Sequence, residues 1–305
     1  MKILALGAES YTNQIARIRE GFLTLGHILT RDPSEADLIY VNNPWFDEAL
    51  TLKDKTKAKF IFNVLDLPHH IIAKGQYDLS KIKGQLQQAD KISCISHTVK
   101  NDIRNILHLD ADVIYNPIKE VFHAEINNNA YPFKYLYVGR ANDPNKRFKL
   151  VIDALIELGA KPNEIAICGS ENPGVGVYLG VVPDNVLVSL YNAVDYVFLP
   201  SAFEGLGLPA IEACVCGAIP VLCNDNPTAQ EIMGTIWYRF KDIEPNGKSM
   251  ADFIKKVDSI PLYKIILQEE ILAYGKIMKK QFSNVEVAKN IVNLYHKIGA
   301  LNNHE

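Results

Sequence analysis

One stretch constrains the fold of this chain more than any other. From Pro200 to Gly217 the sequence reads PSAFEGLGLPAIEACVCG. The residues before it, 195–199, are rich in β-branched and aromatic side chains and predict a buried strand, whereas 210–216 predicts a short helix that Gly217 ends. A further strand is predicted at 219–223. This order predicts a loop at the carboxyl end of a strand in an open α/β sheet, where such folds bind ligands.

The loop carries two glycines and two carboxylates. Gly205 and Gly207 let the backbone approach a ligand closely and adopt dihedral angles that other residues avoid. Their N–H groups, together with a helix that starts after Pro209, would attract an anion such as phosphate. Glu204 and Glu212, the latter predicted in the first helical turn, would accept hydrogen bonds from hydroxyl groups, as on a sugar or a ribose. A phosphate site between hydroxyl acceptors suits a nucleotide sugar.

The segment from Glu204 to Glu212 resembles the paired-glutamate motif of the GT-B fold retaining glycosyltransferases, glycosyltransferase family 4. The resemblance implies two Rossmann-like domains with parallel sheets facing across a cleft, and a C-terminal helix that crosses back to the first domain. It also implies transfer of a hexose from a nucleoside diphosphate sugar to an acceptor hydroxyl, with retention of configuration. In that family the first glutamate lies by the donor sugar and the second binds the ribose hydroxyls.

A second predicted strand-to-helix loop carries two cations, Arg140 and Lys146. Two fixed positive charges there would neutralise a diphosphate leaving group as its charge develops. The family's Gly-Arg-x5-Lys pattern, which begins here at Gly139, binds the donor phosphates. We therefore expect catalysis by Glu204, Arg140 and Lys146, with no metal ion and no cofactor beyond the nucleotide-sugar co-substrate.

The resemblance places the rest of the donor site in the loops that follow predicted strands. In the family, the loops that correspond to those near Gly169 and Gly180 receive the base, largely by backbone groups. The residues expected to bind the donor are Gly139, Gly169, Ser201, Gly205, Leu206, Gly207, Leu208 and Glu212.

The same resemblance sets the domain organisation. Residues 1–118 are expected to form a short acceptor domain, 119–132 a polar, turn-rich linker, 133–285 the donor domain, and 286–305 the returning helix. On the acceptor side the family strand often ends in His-Asp, but here Leu65 stands before Asp66. His69 or His70 could supply an imidazole from a shifted position, or both are ordinary loop residues. The acceptor, whether sugar, lipid, protein or modified nucleobase, stays open.

Composition excludes several other classes of protein. The chain has 305 residues, of which 48% are hydrophobic, enough for two domains with sizeable cores. Its net charge is -3, so no global basic field indicates nucleic-acid binding. The five cysteines have no zinc-site spacing and lie in apolar stretches, which favours buried, reduced thiols. With no apolar run of membrane-spanning length and no signal-peptide core, we expect a cytoplasmic protein.

Alternatives to a transferase stay open at this point. The missing family histidine at Leu65 and the short first domain also fit a nucleotide-sugar-binding protein, and GT-B folds host a sugar epimerase as well. Asp110-Ala111-Asp112 has a metal-type spacing but precedes a strand, so a turn is favoured. The alternating lysines from Lys53 to Lys59 favour a solvated surface over a membrane or nucleic-acid contact.

Overall fold

The computed structural model describes residues 1–7, 14–67, 78–125 and 131–301. The strands in chain order are β1 (Lys2–Leu6), β2 (Ile28–Leu29), β3 (Leu38–Asn42), β4 (Lys59–Val64), β5 (Lys91–Cys94), β6 (Asp112–Val113), β7 (Tyr135–Val138), β8 (Ile165–Cys168), β9 (Val177–Gly180), β10 (Tyr196–Leu199) and β11 (Ile219–Leu222). The helices are α1 (Gln14–Thr24), α2 (Phe46–Leu50), α3 (Leu79–Leu86), α4 (His97–Asp102), α5 (Phe148–Leu158), α6 (Asp184–Ala193), α7 (Leu208–Cys216), α8 (Pro227–Met233), α9 (Gly247–Ser259), α10 (Pro261–Gln281) and α11 (Asn284–Leu301).

The chain divides into two compact units, each with its own parallel sheet. Unit 1 comprises Met1–Lys119 and Gln281–Glu305, and unit 2 comprises Glu120–Lys280. The sheet of unit 1 has the order β2-β1-β3-β4-β5-β6, and the sheet of unit 2 has the order β11-β10-β7-β8-β9. Most of these strands are short, mainly apolar segments, because parallel sheets are covered on both faces.

The C-terminal helix α11 packs onto unit 1, as the sequence analysis predicted. Gly21 of α1 makes this packing possible, because a Cβ atom at position 21 would lie 2.1 Å from the carbonyl oxygen of Asn284. The apolar faces of the two helices, including Phe22 and Ile291, are fully buried in one hydrophobic core with strands of the sheet. Glycine therefore sets how closely α1 and α11 approach.

The sheet of unit 2 positions the candidate site. Strands β7, β10 and β11 lie side by side, in the order β11-β10-β7, and all pair in parallel. The carboxyl ends of parallel strands lie at one edge of a sheet, so the loops that leave these three strands meet there. Behind them, α7 is nearly all buried and packs closely on α10, where a Cβ atom at Gly275 would lie 2.3 Å from the carbonyl oxygen of Cys214.

Three local predictions differ from the structure. Helix α7 begins at Leu208 rather than after Pro209, because Gly207 adopts the left-handed conformation that starts it. Glu212 consequently lies in the second turn of α7, and the prediction of a first-turn position was wrong. The strand predicted to follow Asp112 is only two residues long, Asp112–Val113, and includes Asp112 itself.

Candidate functional site

Three loops meet at the carboxyl edge of the unit 2 sheet. We name them by the strand that each follows: the β7 loop (139–147), the β10 loop (200–207) and the β11 loop (223–226). The β7 loop leads into α5, the β10 loop into α7 and the β11 loop into α8. The four charged residues that the sequence analysis singled out lie on the first two loops and on α7.

The structure brings Lys146 and Glu204 into direct contact. The Lys146 Nζ lies 2.5 Å from Glu204 Oε1, and the two side chains are 19% and 23% exposed. The backbone oxygen of Glu204 also accepts a hydrogen bond from the Thr228 hydroxyl at 2.6 Å. A partly desolvated ammonium and a carboxylate, 58 residues apart in sequence, are thus fixed at one point.

Arg140 is held at the rim of the same loop. Its Nη2 donates to Asp143 Oδ2 at 2.5 Å, while most of the Arg140 side chain is exposed. Burial of Asp143 opposes its ionisation, but hydrogen bonds from Arg140 and from the Asn145 backbone outweigh this and lower the pKa of the carboxyl. Asp143 also caps the turn Pro144–Lys146 through Oδ1. It therefore anchors both predicted cations.

The β10 loop ends at a helix start, as predicted for an anion site. Gly207 has φ 77°, a left-handed conformation that favours glycine. Gly205 is not among the described glycines with positive φ, so the predicted need for unusual dihedral angles holds at Gly207 and not at Gly205. Leu206 and Ser201 are buried, and the Ser201 carbonyl accepts a hydrogen bond from Asn226 Nδ2 at 3.0 Å. The partial positive charge of the nine-residue α7 is thus available at this loop.

The second glutamate of the motif has a different environment from the first. Glu212 is 8% exposed and accepts a hydrogen bond from the Tyr191 hydroxyl at 3.2 Å. Burial, followed by the nearby Glu212 carboxylate, raises the pKa of Tyr191, so its hydroxyl stays protonated as a donor. Glu204 therefore lies in the β10 loop and contacts Lys146. Glu212 lies on α7 and is oriented by Tyr191 of α6.

Two glycines of the predicted donor site lie against each other at the ends of β7 and β8. A Cβ atom at Gly169 would lie 2.0 Å from the carbonyl oxygen of Gly139, so only glycine fits at position 169. The Gly139 N–H donates to the Cys168 carbonyl at 2.9 Å, and Tyr178 Oη donates to the Gly169 carbonyl at 3.0 Å. The loops beyond the two glycines also meet here, since the Asn142 N–H donates to Glu171 Oε2 at 3.0 Å.

Several polar residues that tie the three loops together were missed from the sequence. They are Asn145 and Arg147 on the β7 loop, Asp225 and Asn226 on the β11 loop, and Thr228 on α8. Only the Asn226-Pro227 pair carries a local signal, since Asn before Pro at a helix start is typical of an N-cap. The other contacts join residues far apart in sequence.

Unit 1 presents both uncharged and charged groups at the corresponding edge of its sheet. The Leu65 N–H donates to Asn43 Oδ1 at 2.7 Å, and Asp66 follows directly after it. His69 and His70 lie outside the described residues. A cavity of about 280 Å³ with a largely apolar floor opens at the ends of β3 and β4, and it is lined by Asn43, Pro44, Phe46, Asp47, Val64, Leu67, Asp78, Lys81, Ile82 and Gln85.

Other sequence features have structural roles. All five cysteines are free and buried, and burial raises the pKa of the Cys168 thiol to about 12. Asp110 precedes β6 and pairs with Arg104 at 3.0 Å. The described residues contain no group of three or more His, Cys, Asp or Glu side chains that could hold a metal ion. None of the described helices combines the length and apolar character needed to span a membrane.

Residues 118–235 match the family model described as Glycosyl transferases group 1. This segment contains the β7, β10 and β11 loops and both motif glutamates. The O-antigen chain mannosyltransferase RfbU of Salmonella typhimurium is 26% identical over 200 residues, which are 59% of this chain and 54% of that protein. The chain covers 15%, 54% and 48% of the length of three curated relatives that it matches.

Solved structures with the same fold match nearly the whole chain. Sucrose-phosphate synthase from Thermosynechococcus elongatus has a TM-score of 0.80 at 15% identity, covering 99% of this chain and all of that one. HepE of Anabaena, in complex with UDP and glucose, has a TM-score of 0.73 at 15% identity, covering 97% of this chain and all of that one. The predicted GT-B fold class is thereby confirmed.

Proposed function

We propose that this chain is a retaining glycosyltransferase that moves a hexose from a nucleoside diphosphate sugar to an acceptor hydroxyl without a metal ion. The observation that carries the proposal is the Lys146–Glu204 pair beside the start of α7. It joins a cation suited to a diphosphate with a carboxylate suited to a sugar hydroxyl. The match of 118–235 to a glycosyltransferase family supports this proposal.

The diphosphate would lie at the start of α7, facing Lys146 and Arg140. An ammonium can donate three hydrogen bonds, so the contact with Glu204 leaves capacity for phosphate oxygens. Arg140 is anchored by Asp143 yet mostly exposed, which lets its guanidinium reach the same anion. Both charges are in place before the leaving group forms, and such preorganisation is what lowers the barrier.

The two glutamates would divide the sugars of the donor between them. Glu204, at the loop, would bind a hydroxyl of the transferred hexose. Glu212, deeper and oriented by Tyr191, would bind the ribose. The backbone groups of Gly139, Gly169 and Ser201 and of the segment 205–208 would line the remaining donor surface. The residues expected on the acceptor side are Asp66, His69 and His70.

The comparisons narrow the donors worth testing. RfbU is named as a mannosyltransferase, and the HepE structure holds UDP and glucose. We therefore place GDP-mannose and UDP-glucose first among the donors, followed by other UDP-, GDP- and ADP-hexoses.

Release of sugar from these donors, without an acceptor, is the test. We expect slow hydrolysis of one nucleotide sugar in the presence of EDTA, and proton NMR should show that the first sugar released keeps the anomeric configuration of the donor. Inhibition by EDTA would contradict the metal-free site, and the opposite anomer would contradict retention. Binding without hydrolysis or transfer would indicate a nucleotide-sugar-binding protein, and an epimerised donor would indicate an epimerase.

A further inference from the structure

The three loops of the candidate site are joined pairwise by side chains that carry none of the proposed chemistry. The first link joins the β7 loop to the β10 loop. Asn145 Nδ2 donates to the Phe203 carbonyl at 2.8 Å, and the Phe203 N–H donates back to Asn145 Oδ1 at 3.0 Å. The Ala202 N–H adds a bond to the Asn145 carbonyl at 2.9 Å. Asn145 directly precedes Lys146, and Phe203 directly precedes Glu204.

The second link joins the β11 loop to the β10 loop. Asn226 is 2% exposed, and its Nδ2 donates to the Ser201 carbonyl at 3.0 Å. Its Oδ1 accepts from the Thr228 N–H at 3.0 Å, which caps α8. The Thr228 hydroxyl in turn reaches the Glu204 carbonyl. The start and the middle of the β10 loop are therefore fixed from the β11 side.

The third link closes the set by joining the β7 loop to the β11 loop. Arg147 makes two parallel bonds to Asp225, from Nη1 to Oδ1 at 3.1 Å and from Nη2 to Oδ2 at 2.6 Å. Arg147 also has φ 47°, a left-handed conformation that is costly for a long side chain such as arginine. Backbone strain of this kind persists only where surrounding structure holds it, and an observed outlier is a reason to suspect a functional constraint.

We propose that these three cross-links form a closed set of positioning contacts that fixes the distance between Lys146 and Glu204 and so aligns the donor for transfer. Asn145, Asn226 and the Arg147–Asp225 pair are positioning residues, since each acts through the backbone of a loop. The inference rests on the proposed function. Because loss of alignment slows reaction more than it weakens binding, we expect these residues to affect kcat more than KM.

Hydrogen exchange tests the cross-links without any activity. In Asn145→Ala, a peptide that spans 201–208 should exchange faster than in the unaltered protein, because the Phe203 N–H loses its acceptor. Asn145→Asp keeps that acceptor and should restore part of the protection. Unchanged exchange in Asn145→Ala would overturn the first link. This readout separates the cross-links from the proposed function, which fails by itself if the unaltered protein turns over no nucleotide sugar.

Variants of Arg147 distinguish a positioning role from a purely structural one. Arg147→Gly relieves the left-handed strain and deletes the ion pair, so the melting temperature should hold or rise while kcat falls about 10- to 100-fold. The double variant Arg147→Ala/Asp225→Ala should lose no more than Arg147→Ala, since the two residues act through one contact. The control is Arg239→Ala, which breaks a similar two-bond pair with Glu270 elsewhere in unit 2. If Arg239→Ala lowers kcat as much as Arg147→Ala does, the proposal is overturned. Unchanged kcat in Arg147→Gly would overturn it too.

Discussion

The carboxyl edges of the two sheets are built from different chemistry. In unit 2 the strands are apolar and the loops beyond them carry the charges, as in the Lys146–Glu204 contact. In unit 1 a row of uncharged polar groups stands within the strands themselves. Asn63 Nδ2 donates to Asn42 Oδ1 at 2.9 Å, and the Ser93 hydroxyl donates to Asn63 Oδ1 at 2.9 Å.

The polar groups of the two regions have different roles, structural in unit 1 and, as we propose, ligand-binding in unit 2. The row of Asn42, Asn63 and Ser93 crosses three adjacent strands, is buried and contains no ionisable group, so it satisfies its own hydrogen bonds inside the sheet. The charged groups of unit 2 keep part of their surface exposed and can take a ligand. Substitutions in the two regions should therefore damage different properties, stability in unit 1 and turnover in unit 2.

The largest expected effect is on turnover in unit 2. Lys146→Ala should lower kcat about 10²–10³-fold, because a preorganised cation at the leaving group is lost. Lys146→Arg keeps the charge and should retain more activity. Steady-state kinetics with saturating donor decides this. Full activity in Lys146→Ala would remove the main support for a diphosphate at this loop.

The second effect tests the uncharged row of unit 1. Asn63→Leu has similar volume but leaves Asn42 without its donor and Ser93 without its acceptor. We expect a loss of about 2–3 kcal/mol in the free energy of unfolding, since buried polar groups lose their partners. Urea titration measures it. Asn224→Leu, whose side chain reaches Glu244 in an exposed contact, serves as the control and should change little.

The two strands beside the motif were predicted better than the helices of unit 2. The run 195–199 identifies β10 nearly to the residue because buried parallel strands are continuously apolar. Helices α9 and α10 were left unassigned. The spacing of Met250, Ile254 and Val257 in α9 is helical and could have been recognised. In α10 apolar residues occupy both faces, including the exposed Leu262, so its periodicity is weak.

Only those residues of the candidate site that belong to a local sequence motif could be predicted. The motif spacing identified Arg140, Lys146 and both glutamates as candidates. It could not show that Lys146 contacts Glu204, because that pair is 58 residues apart and depends on the strand order β10-β7. The bond from Asn145 to Phe203 has the same separation and no motif. Contacts of this kind follow from sheet topology, which local periodicity does not determine.

The third prediction separates the two glutamates. Glu212→Ala should raise the donor KM about ten- to a hundredfold with a smaller change in kcat, because it loses a uniform binding contact. Glu204→Gln should lower kcat instead, since it weakens the contact with Lys146 and with the transferred sugar. Tyr191→Phe, which removes the hydroxyl that orients Glu212, should raise KM less than Glu212→Ala. The reverse pattern, with kcat lost in Glu212→Ala and only binding weakened in Glu204→Gln, would mean that their roles are exchanged.

The smallest effect concerns charges at the opposite, amino-terminal edge of the unit 2 sheet. Asp258 accepts from Lys134 Nζ and from the Tyr196 hydroxyl, both at 2.7 Å. Burial of Asp258 opposes its ionisation, but the hydrogen bonds from Lys134 and Tyr196 outweigh this and lower its pKa. A carboxyl whose folded pKa is lowered stabilises the protein above its unfolded pKa, near 3.9, and loses that contribution as the pH falls through the folded value.

Asp258→Asn should therefore lower the free energy of unfolding by about 1 kcal/mol at pH 7, after allowance for solvent screening, and leave kcat unchanged. The difference from the unaltered protein should shrink as the pH falls below the unfolded pKa, because the unfolded carboxyl then takes up a proton. It should vanish below the lowered folded pKa, where the native carboxyl is protonated too. Urea titrations across this range measure it. The control is Asp252→Asn on the same helix, which breaks an exposed pair with Lys248 and should leave stability unchanged. A fall in kcat for Asp258→Asn would show that charges at this edge also affect turnover, and the contrast between the two edges would fail.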